Sequence, residues 1–169
     1  MGALRIDDPV KGFVFLKEAM HIVYNKNQEV VLVLFGSIKR QDILHNISFP
    51  VIQLGLVKDV STIAQLYAAA DVNIVPSYYE TFGQTITESM ASGCPSVAFN
   101  NSGQTDIIDH QINGYLAKYR DSEDLAEGIV WCIDNYSLLS TEARKKVENT
   151  YSEDVVAKQY IDLYNSLIQ

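Results

Sequence analysis

Two carboxylates, Glu80 and Glu88, stand eight positions apart in the stretch Tyr78–Gly93, YYETFGQTITESMASG, with Gly83 between them. The segment before it, DVNIVP, reads as a strand stopped by Pro76, and QTITESMAS reads as a short helix. A strand-to-helix turn attracts anions, because the first N–H groups of the helix are unsatisfied and carry partial positive charge. A carboxylate there repels an anion. By spacing alone the pair could be ordinary solvated charges. The chemical alternative is a ligand with anionic and hydroxyl parts together: amides of Gly83, Gln84 and Thr85 on a phosphate, and carboxylates accepting paired hydrogen bonds from sugar hydroxyls. A nucleotide sugar has that layout. Paired carboxylates also occur in glycoside hydrolases, one as acid and one as nucleophile or base. Beside a helix N-terminus, however, carboxylates stay ionised and make poor general acids.

The positions of both glutamates follow from the helix period. Ile86 and Met90 are four apart and face a core, so Glu88, two from each, points away. Helical side chains lean toward the N-terminus, which tilts Glu88 toward the loop holding Glu80. Gly93 sits where a C-terminal cap glycine belongs, and Pro95 cannot continue the helix.

The rest of the chain alternates strand-like and helical segments. Ala3–Ile6, Glu29–Gly36, Pro50–Val57, Asp71–Pro76, Ser96–Asn100 and Gly114–Tyr119 are predicted strands. The segment Val10–Asn25 carries a helical stripe at Phe13, Leu16, Ala19, Met20 and Val23, and Val60–Ala70 one at Ile63, Leu66 and Tyr67. Short helices are predicted over Lys39–Asn46 and Gly103–His110, and a longer one over Asp121–Asn135, opened by acidic residues. Two more helical segments follow. Ser152 is the expected N-cap of the last, which runs to Gln169 with Val156, Tyr160, Leu163 and Leu167 as its inner stripe. Strands apolar throughout and separated by helices predict a doubly wound parallel sheet, α/β in class and Rossmann-like. Such sheets bind ligands at the carboxyl ends of their strands. The crevice candidates are therefore residues 7–12, 36–39, 55–59, 77–85 and 100–104.

At 169 residues the chain is one domain, and its 47% hydrophobic content can bury a core. A net charge of −8 argues against a nucleic-acid partner. Cys94 and Cys132, and the scattered His21, His45 and His110, have no metal-ligand spacing, so no metal is expected and both cysteines read as packed structure. With no signal peptide and no apolar run of about 20 residues, a cytoplasmic location is expected, including the inner membrane surface. The abrupt opening MGALRIDDPVKG predicts one part of a longer chain. There is no G-x-G-x-x-G, P-loop or G-x-S-x-G motif, which counts against dehydrogenase, P-loop and hydrolase readings. The lone Gly36 in LFGSIKR is better read as a structural turn than as a phosphate loop.

Four segments in order carry a resemblance to a known family. They are VKGF, LGLV, the run from LYAAADVNIVPSYYETFGQTITESMASGCPSVA with its E-x-F-G-x-x-x-x-E core, and SGQTDIIDHQINGYL. In the last, Asp106 stands where the family usually has glutamate. Together they resemble the C-terminal, donor-binding domain of GT-B glycosyltransferases of the retaining family 4. The likeness spans nearly all of residues 1–169 and implies one half of a GT-B fold. The resemblance implies that Glu88 binds ribose hydroxyls and that Glu80 lies near the donor sugar or proximal phosphate. It further implies that Phe82, Gly83, Gln84 and Thr85 give amides to the diphosphate, and that Lys11 neutralises the leaving group. Leu56, Val57 and Lys58 would hold the base through backbone groups, which leaves a UDP-type and a GDP-type donor equally open. Arg5 lies six residues before Lys11, where the family has five, so its donor role is open. The implied partners are a nucleotide-sugar donor and an N-terminal acceptor domain, through which any membrane contact would be made. The implied reaction transfers a sugar to a hydroxyl acceptor, in polysaccharide or glycoconjugate synthesis, without a metal or other cofactor and without activity in the domain alone. Half of a sugar-nucleotide epimerase and a non-catalytic nucleotide-binding module are the competing readings.

Overall fold

A computed structural model describes residues 1–168. Its elements follow the predicted alternation: β1 (Gly2–Arg5), a 3-10 turn (Pro9–Lys11), α1 (Phe13–Lys26), β2 (Leu32–Ser37), a second 3-10 turn (Gln41–Leu44), β3 (Val51–Gln53), α2 (Val60–Ala68) and β4 (Asn73–Val75). The chain continues through α3 (Gln84–Ala91), β5 (Ser96–Phe99), α4 (Gln104–Ile107), β6 (Gly114–Ala117), α5 (Ser122–Asp134), α6 (Tyr136–Tyr151) and α7 (Glu153–Leu167).

All strand pairs are parallel. Successive side chains of a strand point to opposite faces, so a doubly covered sheet needs two cores. Ile74 of β4 and Val97 and Phe99 of β5 enter one core with Leu16, Leu125 and Ile129 of α1 and α5. Their neighbours Val75 and Ala98 enter the other, with Ile86 and Met90 of α3 and Ala143 and Val147 of α6. This is the doubly wound α/β arrangement. The α1 stripe predicted from periodicity, Phe13, Leu16, Ala19, Met20 and Val23, is the buried set. Cys94 and Cys132 are buried free thiols.

The hydrogen bonding divides the strands into two three-stranded sheets, β1-β2-β3 and β4-β5-β6. β1 meets β2 through an irregular register, Gly2 to Phe35 and Arg5 to Ser37. A cavity of about 420 Å³ lies where the sheets part, lined by Met1, Leu32, Phe35, Tyr67 and Ile74 among others. Gly36 is not the turn its sequence context predicts. It lies inside β2 at φ 139°, and a β-carbon there would stand 1.8 Å from the Ala3 carbonyl oxygen. Glycine is needed so that β1 can approach β2.

The last helix leaves its apolar stripe uncovered. Its stripe is not an inner one: Tyr160, Leu163 and Leu167 are 57%, 52% and 72% exposed, and α7 buries no residue. Ser152 occupies the N-cap position but its side chain makes no capping bond. Gln169, the predicted end of this helix, lies outside the described residues. No helix of the described residues is long and apolar enough to cross a membrane.

Candidate functional site

The site begins with a glycine. Gly12 closes the turn after β1 with φ 64°, a left-handed conformation that costs other residues about 1–2 kcal/mol. A β-carbon there would fall 1.9 Å from the Pro76 carbonyl oxygen. Only glycine therefore lets the loop after β1 rest on the loop after β4. Tyr78 N–H donates to the Val10 carbonyl at 2.8 Å and fixes the contact. From this junction Lys11 Nζ reaches Glu80 Oε1 at 2.7 Å, joining residues 69 apart in sequence. Ser77, fully buried, donates its hydroxyl to the same oxygen at 2.8 Å.

The Glu80 loop is held from its other side by the segment after β5. Glu80 N–H donates to Ser102 Oγ at 3.0 Å, Gly103 N–H donates to the Glu80 carbonyl at 3.0 Å, and Asn101 Nδ2 donates to the Tyr78 carbonyl. Gly103 is required here by close approach, because a β-carbon would stand 2.4 Å from the Thr81 carbonyl oxygen. Three of the predicted crevice segments, the loops after β1, β4 and β5, thus meet at one junction.

Gly83, at φ 85°, then starts α3. Within the described residues, the N–H groups of Gly83 and Gln84 find no protein acceptor, and Thr85 N–H finds none outside its own helix. They are open donors at the start of the helix, of the kind that attracts negative charge. Four residues on, Ile86 and Met90 are buried and Glu88 is turned outward, as the helix period predicts. Glu88 lines a cleft of about 130 Å³ with Leu4, Gly36, Leu56, Val57 and Thr85. The apolar walls desolvate its carboxyl and raise its pKa above the ordinary 4.5.

The structure therefore brings the predicted residues together in two groups. Lys11 and Glu80 form one; Leu56, Val57, Thr85 and Glu88 form the other. Gly83 and Gln84 begin the helix that carries Glu88. Lys58 is exposed and does not line the cleft, because the chain has already turned toward the cap of α2 at Asp59. Phe82 is half exposed and packs edge-on against Tyr151 of α6, with ring centroids 5.3 Å apart.

Arg5 is drawn to Asp7. Its Nε donates to Asp7 Oδ1 at 3.2 Å, and the Asp7 side chain is fully buried. Burial opposes ionisation of Asp7, but bonds from Arg5, from backbone N–H groups of Lys39 and Arg40, and the Arg5 charge outweigh it and hold the pKa below its ordinary value.

Three neighbours were not legible as site residues. Ser77 lay in a candidate loop, but nothing in its sequence marked it as the second partner of Glu80. Tyr67 looks like core. It is buried, lines the cleft with Glu88, and its hydroxyl has no partner among the described residues. Arg120 follows β6, and the rule that crevice residues follow strands would have found it had the last strand been included.

A model of the glycosyl transferases group 1 matches residues 1–135. The chain is 31% identical over 163 residues to an uncharacterised glycosyltransferase of Methanocaldococcus jannaschii, covering 91% of this chain and 41% of that protein. It is 25% identical over 166 residues to the capsular polysaccharide biosynthesis glycosyltransferase CapM of Staphylococcus aureus, covering 94% and 44%. It spans less than half the length of either relative. Among solved structures, Anabaena HepE in complex with UDP superposes with a TM-score of 0.84 at 25% identity, over 98% of this chain and 48% of that one.

Proposed function

The chain belongs to the group 1 glycosyltransferases, of GT-B fold, and on that premise we propose that it is the donor-binding, C-terminal domain of a retaining sugar transferase. The observation that carries the proposal is the flanking of one open helix end by two different carboxylates. Glu88 lies in an apolar cleft of a size for a nucleobase edge or a ribose, and Glu80 is tied to a lysine on the other side. A nucleoside diphosphate sugar spans that distance in chemical order: nucleoside, diphosphate, sugar.

In this reading Glu88 accepts the ribose hydroxyls, while backbone groups of Leu56 and Val57 border the base. The amides of Gly83, Gln84 and Thr85 bind the diphosphate. Lys11 shares its charge between Glu80 and the phosphate that departs, and this stabilises developing negative charge electrostatically. In this reading Glu80 is not the nucleophile; its Oε1 accepts from Lys11 and Ser77. It orients Lys11 and a sugar hydroxyl. The sugar passes to a hydroxyl acceptor held by an N-terminal domain. A role in polysaccharide synthesis is supported by the likeness to CapM. The half-epimerase alternative lacks its acid–base histidines, since His21, His45 and His110 are all outside the cleft. The HepE complex favours UDP as the first probe. Titrating the chain with UDP, GDP, ADP and dTDP by calorimetry tests the reading. Saturable binding of one of them is expected, and no binding by demonstrably folded protein would overturn it.

A further inference from the structure

The cation assigned to the diphosphate, Lys11, and the open donor-site candidate Arg5 both carry their own counter-charges. Lys11 is paired with Glu80 and Arg5 with Asp7. A diphosphate needs positive charge that is not already spent. Arg120 supplies it: it is exposed and makes no ion pair among the described residues. The adjacent acid, Asp121, is engaged otherwise, accepting N–H bonds from Glu123 and Asp124 as the cap of α5.

Arg120 is held beside the Glu80 loop by stacking. Its guanidinium carbon lies 4.4 Å from the centroid of the Tyr78 ring and 5.1 Å from that of Tyr119. Tyr78 is two residues before Glu80, and its ring edge lies 3.5 Å from where a Gly12 β-carbon would be, next to Lys11. Phe15 packs edge-on against the same ring at 5.9 Å and holds it. The backbone adds a second observation. Arg120 sits at φ 60°, in the left-handed region, where a side chain is strained and glycine is not. Strain of this kind is a pointer to function when the side chain is placed by it.

The strand order fixes the side of approach. The Glu88 cleft is walled by β1 and β2 and by the segment after β3, whereas Arg120 comes from the end of β6, across β5 from the Glu80 loop. Resting on the reading above, we propose that Arg120 is a further binding residue of the donor site, contacting the phosphate farther from the nucleoside, the one bonded to the transferred sugar.

The test is calorimetric titration of the 169-residue chain and its R120Q, R120K and R120G variants with UMP and UDP. R120Q is expected to weaken UDP about tenfold, as loss of a charge-assisted contact does, and to leave UMP unchanged. R120K should retain part of the UDP affinity. The difference between wild type and R120Q should shrink in high salt. R120G relieves the positive φ, so its melting temperature should match or exceed wild type while its UDP affinity falls with that of R120Q. Equal losses for UMP and UDP, or no loss for UDP, would overturn the proposal while leaving the donor-domain reading intact. A wild type that binds neither nucleotide would remove that reading and this proposal with it.

Discussion

At the scale of single residues, Glu88 and Lys11 make separable contributions. Glu88→Gln keeps the shape of the cleft and removes the charge that would accept ribose hydroxyls. Nucleoside diphosphate affinity should fall by about 1.5–3 kcal/mol, with little change in melting temperature. Calorimetry beside a thermal melt checks both, and a large fall in melting temperature with unchanged affinity would make Glu88 structural. The raised pKa of Glu88 gives a pH signature. The folded chain holds this proton to higher pH than the unfolded chain does. Below that raised pKa the neutral cleft favours the fold; above it, burial of the charge works against stability. In the proposed reading, ligand binding needs the charged form. Affinity should therefore decline on acidification before an ordinary glutamate titrates, and this limb should be absent in Glu88→Gln. Lys11→Ala removes the partner of a Glu80 carboxylate whose side chain is only 16% exposed. It should cost about 1–3 kcal/mol of stability, between surface and buried ion pairs, and weaken UDP more than UMP. Urea melts and paired titrations measure the two effects.

At the scale of elements, the site is a junction of loops that glycines permit. Gly12→Ala adds a methyl group against the Pro76 carbonyl and strains a left-handed turn. Neither can relax alone, because Tyr78 N–H and Val10 carbonyl lock the two loops together. A loss of at least about 2 kcal/mol is expected, or roughly 4–8 °C in melting temperature for a chain this size. The Lys11–Glu80 pair should be broken with it, so nucleotide affinity should fall although no ligand-contacting atom is changed. A variant with wild-type stability and affinity would show that the loops are not coupled.

At the scale of the whole molecule, the proposed reading gives the chain one wall of a cleft. We expect it to bind a nucleoside diphosphate in the micromolar-to-millimolar range, roughly, and to transfer no sugar. Closure of a second domain excludes water and completes the catalytic geometry, and the acceptor is held there in the proposed reading. At a ligand concentration about 100 times the dissociation constant, binding adds about 2.7 kcal/mol, a rise of roughly 5–10 °C in melting temperature. A thermal-shift assay followed by a donor-plus-acceptor assay tests both halves, and measurable transfer by this chain alone would sink the half-enzyme reading. The same molecule exposes an apolar stripe on α7, with Tyr160, Ile161, Leu163, Tyr164 and Leu167.

What the sequence determined by itself are the features set by local period and by residue type. The α1 stripe, the inward Ile86 and Met90, the outward Glu88, the Gly93 cap and the alternation of strands and helices all follow from spacing within a dozen residues. The pattern from Glu80 to Glu88 pointed to the proposed ligand class only through the family resemblance, although one short loop and one helix turn hold it all. What only the tertiary structure decided are relations between distant segments. Gly12 against Pro76, Lys11 on Glu80, Arg5 taken by buried Asp7, and Arg120 stacked on Tyr78 depend on which strand ends adjoin, which no local period encodes. The α7 stripe shows the converse limit. Its apolar spacing predicts a buried face, but burial needs a partner surface, and a helix period specifies the face without specifying what covers it.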